Sequence, residues 1–554
     1  MKKNLLKSLS LVVMALMIVA CSNPSKMAKL ASQVSTECNP QVLEAKAGLV
    51  KATYTVTFPA KYFAKKAILD ITPVLVYEGG EVAAPVLSLQ GEKVLENNTV
   101  VSYENGGSVS RDVEFKYVPG MEKATLELRA TVYNNSKTKS YAYPEAFKIA
   151  DGTNTTYMLA CTKGTPSFEA DNYQKIIKET EESQILYTIN SAYVRSNQLK
   201  SDDIKAFEEA LKTTKADERR TIVSNDIIAY ASPDGAYDLN AKLSANRAKN
   251  AETAFVKKIT KNVDVKEIPL KVSEISEDWE GFQELVAASD IEDKELILRV
   301  LSMYSDPAVR EKEIKNMSNV FKVLADKVLP QLRRARFVAN IEYKNWTDAE
   351  LTQIIDENID QLDEEALLYG ATLFDTDAAK ANIYKKAASK YNSSRAYNNL
   401  AALSLKAEKT AEAKGYLAKM SNKSESYNNN MAVVALQENN VVKAAEYLAK
   451  AGALKEATAN KGLVAILNGE YSKAASLYGD CKCFNAAVAN VLVGNYSKAS
   501  SNLASKDCAA TAYLKAVIAA RQGKSSEANA QLANAKKDAK FAARAAKDIE
   551  FAKL

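Results

Sequence analysis

The chain contains no histidine among its 554 residues. That absence removes serine–histidine triads, cysteine–histidine nucleophiles and histidine-ligated zinc or haem. Carboxylate-pair chemistry passes the filter, but among 68 acidic residues an arbitrary pair carries no information, and the chain is read as a non-enzyme. Cysteine is scarce at six residues, and Cys481-x-Cys483 lacks the second pair that a zinc site needs. No metal and no cofactor are therefore expected. A large excess of one charge is missing too. Lysine and arginine number 74, and without Lys2, Lys3 and Lys7 at the extreme N-terminus the balance is 71 against 68, or +3. This gives no electrostatic case for nucleic acid. What is present is ordinary globular material, 47% hydrophobic and 26% charged, in a chain too long for one core. Several domains are expected.

No apolar run is long enough to stay in a bilayer as a helix. The longest at the N-terminus, Leu9 to Ala20, follows the three lysines and has the form of a secretory signal peptide over residues 1–20. Its end, Ile18-Val19-Ala20-Cys21, resembles a bacterial lipobox, which implies acylation of Cys21 and a lipidated tether over residues 21–44. The tether begins Ser22-Asn23-Pro24-Ser25-Lys26, without the acidic run that directs Bacteroidota lipoproteins to the cell surface, so the resemblance implies an outer-membrane anchor facing the periplasm. Such a compartment permits disulfides. Cys38 and Cys161 could staple the first domain, and Cys481 or Cys483 could reach Cys508; each is equally readable as a small buried hydrophobe.

From Val50 the chain alternates strictly, with Ala52, Tyr54, Val56 and Phe58 apolar and Lys51, Thr53, Thr55 and Thr57 between them. A period of two predicts a strand with one buried face. The pattern returns at Val113, Phe115 and Tyr117 and at Ala124, Leu126, Leu128, Ala130 and Val132, punctuated by Gly79-Gly80, Asn105-Gly106-Gly107 and Pro119-Gly120. An antiparallel β-sandwich is expected over residues 45–160.

Past Thr162-Lys163-Gly164-Thr165-Pro166 strands alternate with helices, which predicts an α+β domain over residues 183–345. Ile185 to Ile189 reads as a strand, Ser201 as the cap of a helix with Ile204, Phe207 and Leu211 on one face, Ile227 to Tyr230 and Phe337 to Tyr343 as further strands. The run Ala229-Tyr230-Ala231-Ser232-Pro233-Asp234-Gly235, then Asn240, Leu243-Ser244 and Arg247-Ala248, resembles the signature of OmpA-like peptidoglycan-binding domains, roughly G-Y-T-D-x-x-G-x4-N-x2-L-S-x2-R-A. Arg333 to Glu342 resembles the arginine-led last strand of that family. The resemblance implies that Arg247 grips the carboxylate of a diaminopimelate side chain, with an aspartate accepting from its ammonium. That aspartate position is Ser232 here, a neutral hydroxyl, leaving Asp234 as the nearest replacement. The implied site is Ser232, Asp234, Asn240 and Arg247.

Beyond Tyr343 alanine rises and a repeat emerges. Gly469-Glu470-Tyr471-Ser472-Lys473-Ala474 recurs as Gly494-Asn495-Tyr496-Ser497-Lys498-Ala499, and looser copies end in Ala413, Ala444 and Ala528. Four residues after each stands a larger apolar residue: Leu417, Leu448, Tyr478, Leu503 and Leu532. The spacing resembles tetratricopeptide repeats, run short and without their tryptophan, and implies a helical solenoid over residues 346–554. Its concave face, with Tyr427-Asn428-Asn429-Asn430, is expected to meet a protein partner.

The whole resembles Bacteroidota envelope antigens: a scaffold held to the membrane by lipid, binding peptidoglycan through the middle domain and protein through the repeats. The alternative is an assembly factor for surface fibres or a secretion machine, its OmpA-like domain no longer holding the wall.

Overall fold

In a computed structural model the described residues are 23–263, 267–316, 318–505 and 507–554. The expected signal peptide and Cys21 lie outside them. The chain forms two compact units, one made of residues up to Ala170 together with Thr376–Leu554, the other of Asp171–Asp375.

The first unit opens with β-structure earlier than the alternation predicts. Residues assigned to the tether already contain the helix Pro24–Lys29 and the strands Ser35–Asn39 and Val42–Lys46. These strands are short and half-exposed, so neither carries enough alternation to be read. The strand Leu49–Phe58 alternates as expected, with Val50, Ala52, Tyr54, Val56 and Phe58 all buried. Eleven strands join one sheet that is mostly antiparallel, with parallel pairs between Phe147–Asn154 and Val42–Lys46 and between Leu87–Gly91 and Thr99–Val101. A purely antiparallel sandwich is thus replaced by one continuous sheet. Val56 and Phe58 meet Leu69, Ile71, Leu128 and Ala130 across the interior, as two opposed faces would.

The rest of this unit is a solenoid of helical hairpins. Longer helices, Ser394–Lys406, Glu425–Gln437, Lys455–Leu467, Phe484–Leu492 and Ala509–Arg521, alternate with shorter ones, Thr410–Leu417, Val441–Leu448, Tyr471–Tyr478, Tyr496–Asn502 and Ser525–Ala535. The signature alanines Ala413, Ala444, Ala474, Ala499 and Ala528 are fully buried on the shorter helices, and the five larger residues one turn later are buried beside them. The left-handed residues that turn each hairpin, Glu408, Asn439, Gly469, Gly494 and Gly523, also fall at one phase of the repeat. Leucines and alanines of the repeats share one hydrophobic cluster with the β-strands. Solenoid and sheet therefore fold around a common core.

The second unit holds a four-stranded mixed sheet. Its order is Ile176–Leu186, Arg334–Lys344, Arg220–Tyr230, Leu270–Ile275, and only the last pair is parallel. The helices Asp202–Ala216, capped by Ser201, and Tyr237–Ala254 pack on it through Ile204, Phe207, Leu211, Ala248 and Ala251. The first strand starts at Ile176 because it pairs along its whole length with Arg334–Lys344, while burying side chains only near Ser183 and Ile185. Residues 279–332 form short helices around a core of their own, including Phe282, Val286, Ile297 and Leu324. The solenoid begins thirty residues later than expected, at Thr376. The helices Asp348–Asn358 and Glu364–Thr372 belong to the mixed-sheet unit, through a stack of Tyr173 on Tyr369 and a bond between Arg219 and Glu350.

Candidate functional site

In the second unit the strand Arg220–Tyr230 runs into the bend that carries Ser232 and Asp234, and the helix Tyr237–Ala254 leads away from it with Asn240 in its first turn. Three of the four expected residues meet there. The Ser232 hydroxyl donates to Asp234, and the Asn240 amide donates to the carbonyls of Ser232 at 3.1 Å and Gly235 at 2.9 Å. Asp234 also accepts from Arg333 at 3.4 Å, and Lys315 donates to its main-chain carbonyl at 3.0 Å. The cavity between this bend and Trp279, Ile314 and Leu324 has room for about 10 Å³, enough for a single water.

Arg247 is differently employed. Its side chain is fully buried, with Nε on the Ser191 carbonyl at 3.0 Å, Nη1 on that of Tyr230 at 2.8 Å and Nη2 on that of Thr188 at 3.4 Å. The Tyr187 ring lies 5.0 Å beneath the guanidinium. Burial brings its pKa down to about 10, which leaves it charged at neutral pH. The fork implied for a wall carboxylate is directed into a loop of its own domain, and acts as a bracket between strand end, helix and the loop 188–191. Among the described residues no group of three or more cysteines and carboxylates could hold a metal ion, and no helix is long and apolar enough to cross a membrane.

A second arrangement, in the first unit, was not expected from the sequence. Residues 161–169 lie extended along the longer helices of the solenoid, and one asparagine per repeat holds them by the main chain. Asn485 accepts from the Cys161 amide at 2.7 Å and donates to the Cys161 carbonyl at 2.9 Å. Asn460 holds Thr165 in the same way, at 2.8 Å each. Asn430 holds Ser167 at 2.8 and 2.9 Å, and Asn399 holds Glu169 at 2.7 and 3.0 Å.

Only a carboxamide can do this, because it offers a donor and an acceptor side by side, matching the N–H and C=O of one residue in an extended chain. A second rank reinforces the first. Asn429 donates to the Thr165 carbonyl at 3.0 Å and Asn398 to that of Ser167 at 3.1 Å. Asn460 and Asn430 use a further amide proton on Asn429 and Asn398 of the neighbouring repeat, both at 2.9 Å. Asn398, Asn399, Asn429, Asn430 and Asn460 are buried, so each amide must be paired to be tolerated there. Pro166 sits between two clamped residues, where a missing N–H costs nothing.

The signal for this ladder was in the repeat itself. Asn399, Asn430, Asn460 and Asn485 each stand fourteen residues before a signature alanine, Ala413, Ala444, Ala474 and Ala499. The predicted concave-face residues Asn429 and Asn430 do line the groove, but the chain's own segment fills it.

No protein-family model and no curated protein matches the chain. Among solved structures it is similar to a tetratricopeptide repeat protein from Parabacteroides merdae, at 14% identity over 41% of this chain and 92% of that one, with a TM-score of 0.27. It is also similar to the Cut9–Hcn1 hetero-tetramer of the APC/C, at 14% identity over 57% and 77%, TM-score 0.31. A native alpha-2-macroglobulin fragment from Escherichia coli aligns at 11% identity over 90% and 62%, TM-score 0.14.

Proposed function

We propose that this protein is a non-enzymatic lipoprotein scaffold of the bacterial envelope, anchored through Cys21 to the outer membrane and facing the periplasm, in which the ladder locks the β-domain and the repeats into one rigid platform for protein partners. The asparagine ladder carries this reading. It is a device for holding polypeptide main chain, and its occupant is the segment that leaves the β-domain. A tethered segment acts at an effective concentration in the millimolar range, so a free peptide competes poorly for the same amides. Partners are accordingly assigned to the outer surfaces of the platform.

Of the two roles open to the OmpA-like domain, the burial of Arg247 favours the one without a grip on the cell wall. Its N–H groups serve three carbonyls of its own chain, and the adjoining cavity is too small for a diaminopimelate side chain. Co-sedimentation of the soluble protein with insoluble peptidoglycan tests this. The protein is expected in the supernatant, whereas sedimentation that Asp234→Ala with Arg333→Ala abolishes would restore the wall-binding role. Metabolic labelling with a radioactive fatty acid tests the anchor, the label being expected in wild type and absent in Cys21→Ala.

A further inference from the structure

The ladder has one irregular step. Thr165, Ser167 and Glu169 are clamped two residues apart, but Cys161 and Thr165 are four apart. Four extended residues span roughly 13 Å, more than the ~8–10 Å between packed helices, so the segment must buckle. Gly164, at φ +72°, is the buckle. Beneath it lies a cavity of about 480 Å³ lined by Gly164, Leu463, Tyr478 and Phe484, and by three cysteines, Cys161, Cys481 and Cys483.

We propose that this cavity is a thiol-oxidation site, at which Cys161 becomes joined by a disulfide to the Cys481-Lys482-Cys483 turn and makes the latch covalent. The inference rests on the latch and on the envelope location proposed above. Both sides of the cavity are fixed in place: Asn485 pins the Cys161 main chain, and Asn502 donates to the Cys481 carbonyl at 2.7 Å. Cys161 and Cys481 are exposed, so an oxidant reaches them. Cys483 is the residue that precedes the helix Phe484–Leu492, so its backbone position is set by the start of that helix. The structure thus places Cys161 with this turn and not with Cys38, which is buried in the β-domain core, and the cavity that Cys481 and Cys483 line holds Cys161 and not Cys508.

The co-reactant is a disulfide-bearing thiol oxidoreductase or a small disulfide. The Cys483 thiolate attacks one of its sulfurs and breaks its S–S bond, forming a mixed disulfide. The Cys161 thiolate then attacks the Cys483 sulfur and expels the second thiolate of the oxidant. Two thiols of this protein lose two electrons and two protons, and the oxidant leaves as its dithiol or, if a small disulfide, as two thiols. Exchange with the neighbouring thiol can move the bond to Cys481.

The test is tryptic mapping of the mature protein after incubation in an oxidising glutathione buffer and blocking of remaining thiols. Trypsin cuts after Lys163 and Lys482, which separates Cys481 from Cys483. A peptide ending at Lys163 joined to either cysteine peptide, lost on reduction and lost in Cys161→Ser, is the expected result. A bond between Cys481 and Cys483, a bond from Cys161 to Cys38, or blocking of all three thiols overturns it. Limited proteolysis of Asn430→Ala with Asn460→Ala under reducing conditions reads the latch separately: cutting within 161–169 in the variant and not in wild type upholds the ladder whatever the thiols do.

Discussion

A buried asparagine is normally a cost, and here Asn399, Asn430 and Asn460 repeat at one phase because each pairs with both the N–H and the C=O of one main-chain residue. At Asn430 the amide proton and carbonyl both serve Ser167, and the side chain is fully enclosed. Asn430→Ala is expected to cost roughly 2–3 kcal/mol in urea unfolding, two hydrogen bonds at about 1 kcal/mol each plus a Ser167 N–H left desolvated, its carbonyl keeping Asn398 as donor. Asn430→Asp is expected to cost more at neutral pH, because a carboxylate accepts from the Ser167 amide but cannot donate to its carbonyl. Its folded pKa would be raised, so the lost stability returns as pH falls and the carboxyl is protonated. Arg247→Ala is expected to cost about 3–5 kcal/mol, since three carbonyls lose a charged donor and a cavity opens over Tyr187; a folded variant of unchanged midpoint would remove the bracket role. At this scale the sequence was partly legible. The register of Ser232, Asp234 and Asn240 is a real cluster, but a motif cannot say whether an arginine points outward, because that depends on a loop 56 to 59 positions upstream. The asparagine phase is present in the letters, but the apolar residues that define the repeat give no sign that these amides hold a main chain.

Among the elements, those that bury one face were readable and those held by main-chain bonds were not. The strand Leu49–Phe58 and the signature alanines declare themselves through side chains that leave water. The edge strand Ile176–Leu186 exposes most of its residues and is defined only by pairing with Arg334–Lys344. The segment 161–169 is the extreme case, since threonine, glycine, proline and serine in sequence have the composition of a linker. Its conformation is nevertheless specific. At Gly164 the backbone is left-handed, and an added Cβ would stand 3.0 Å from a Val433 methyl. Gly164→Val is expected to destabilise the first unit by about 1–3 kcal/mol, read as a lowered thermal midpoint. An unchanged midpoint would mean that the buckle is adjustable.

In the first unit as a whole, the chain's last residues return to the β-sheet. Glu550 accepts from Asn154 at 2.6 Å, from Thr156 at 2.7 Å and from Arg521 Nε at 2.9 Å, with its side chain 7% exposed. Glu550→Ala leaves the part-buried Arg521 without its carboxylate and is expected to cost about 3–5 kcal/mol, with sheet and solenoid signals shifting together in a denaturant titration. Separate shifts would deny the common core. Base should also unfold this unit. Burial pushes the pKa of Tyr54 and of Tyr62 up to about 12 from the ordinary 10, so the unfolded chain releases these protons first. Their contribution is complete below pH 10 and lost as pH rises towards 12, and tyrosinate absorbance at these positions is expected to appear only with the loss of fold.

A clamp that reads mainly amides and carbonyls is lenient about spelling but strict about parity. Successive residues of an extended chain turn their polar groups to opposite sides, so removing one residue between Thr165 and Glu169 would present the wrong edge to every asparagine beyond the gap. The exposed letters of this stretch are free to vary while the count between its anchors stays fixed, which makes it a ruler written in a partly free text.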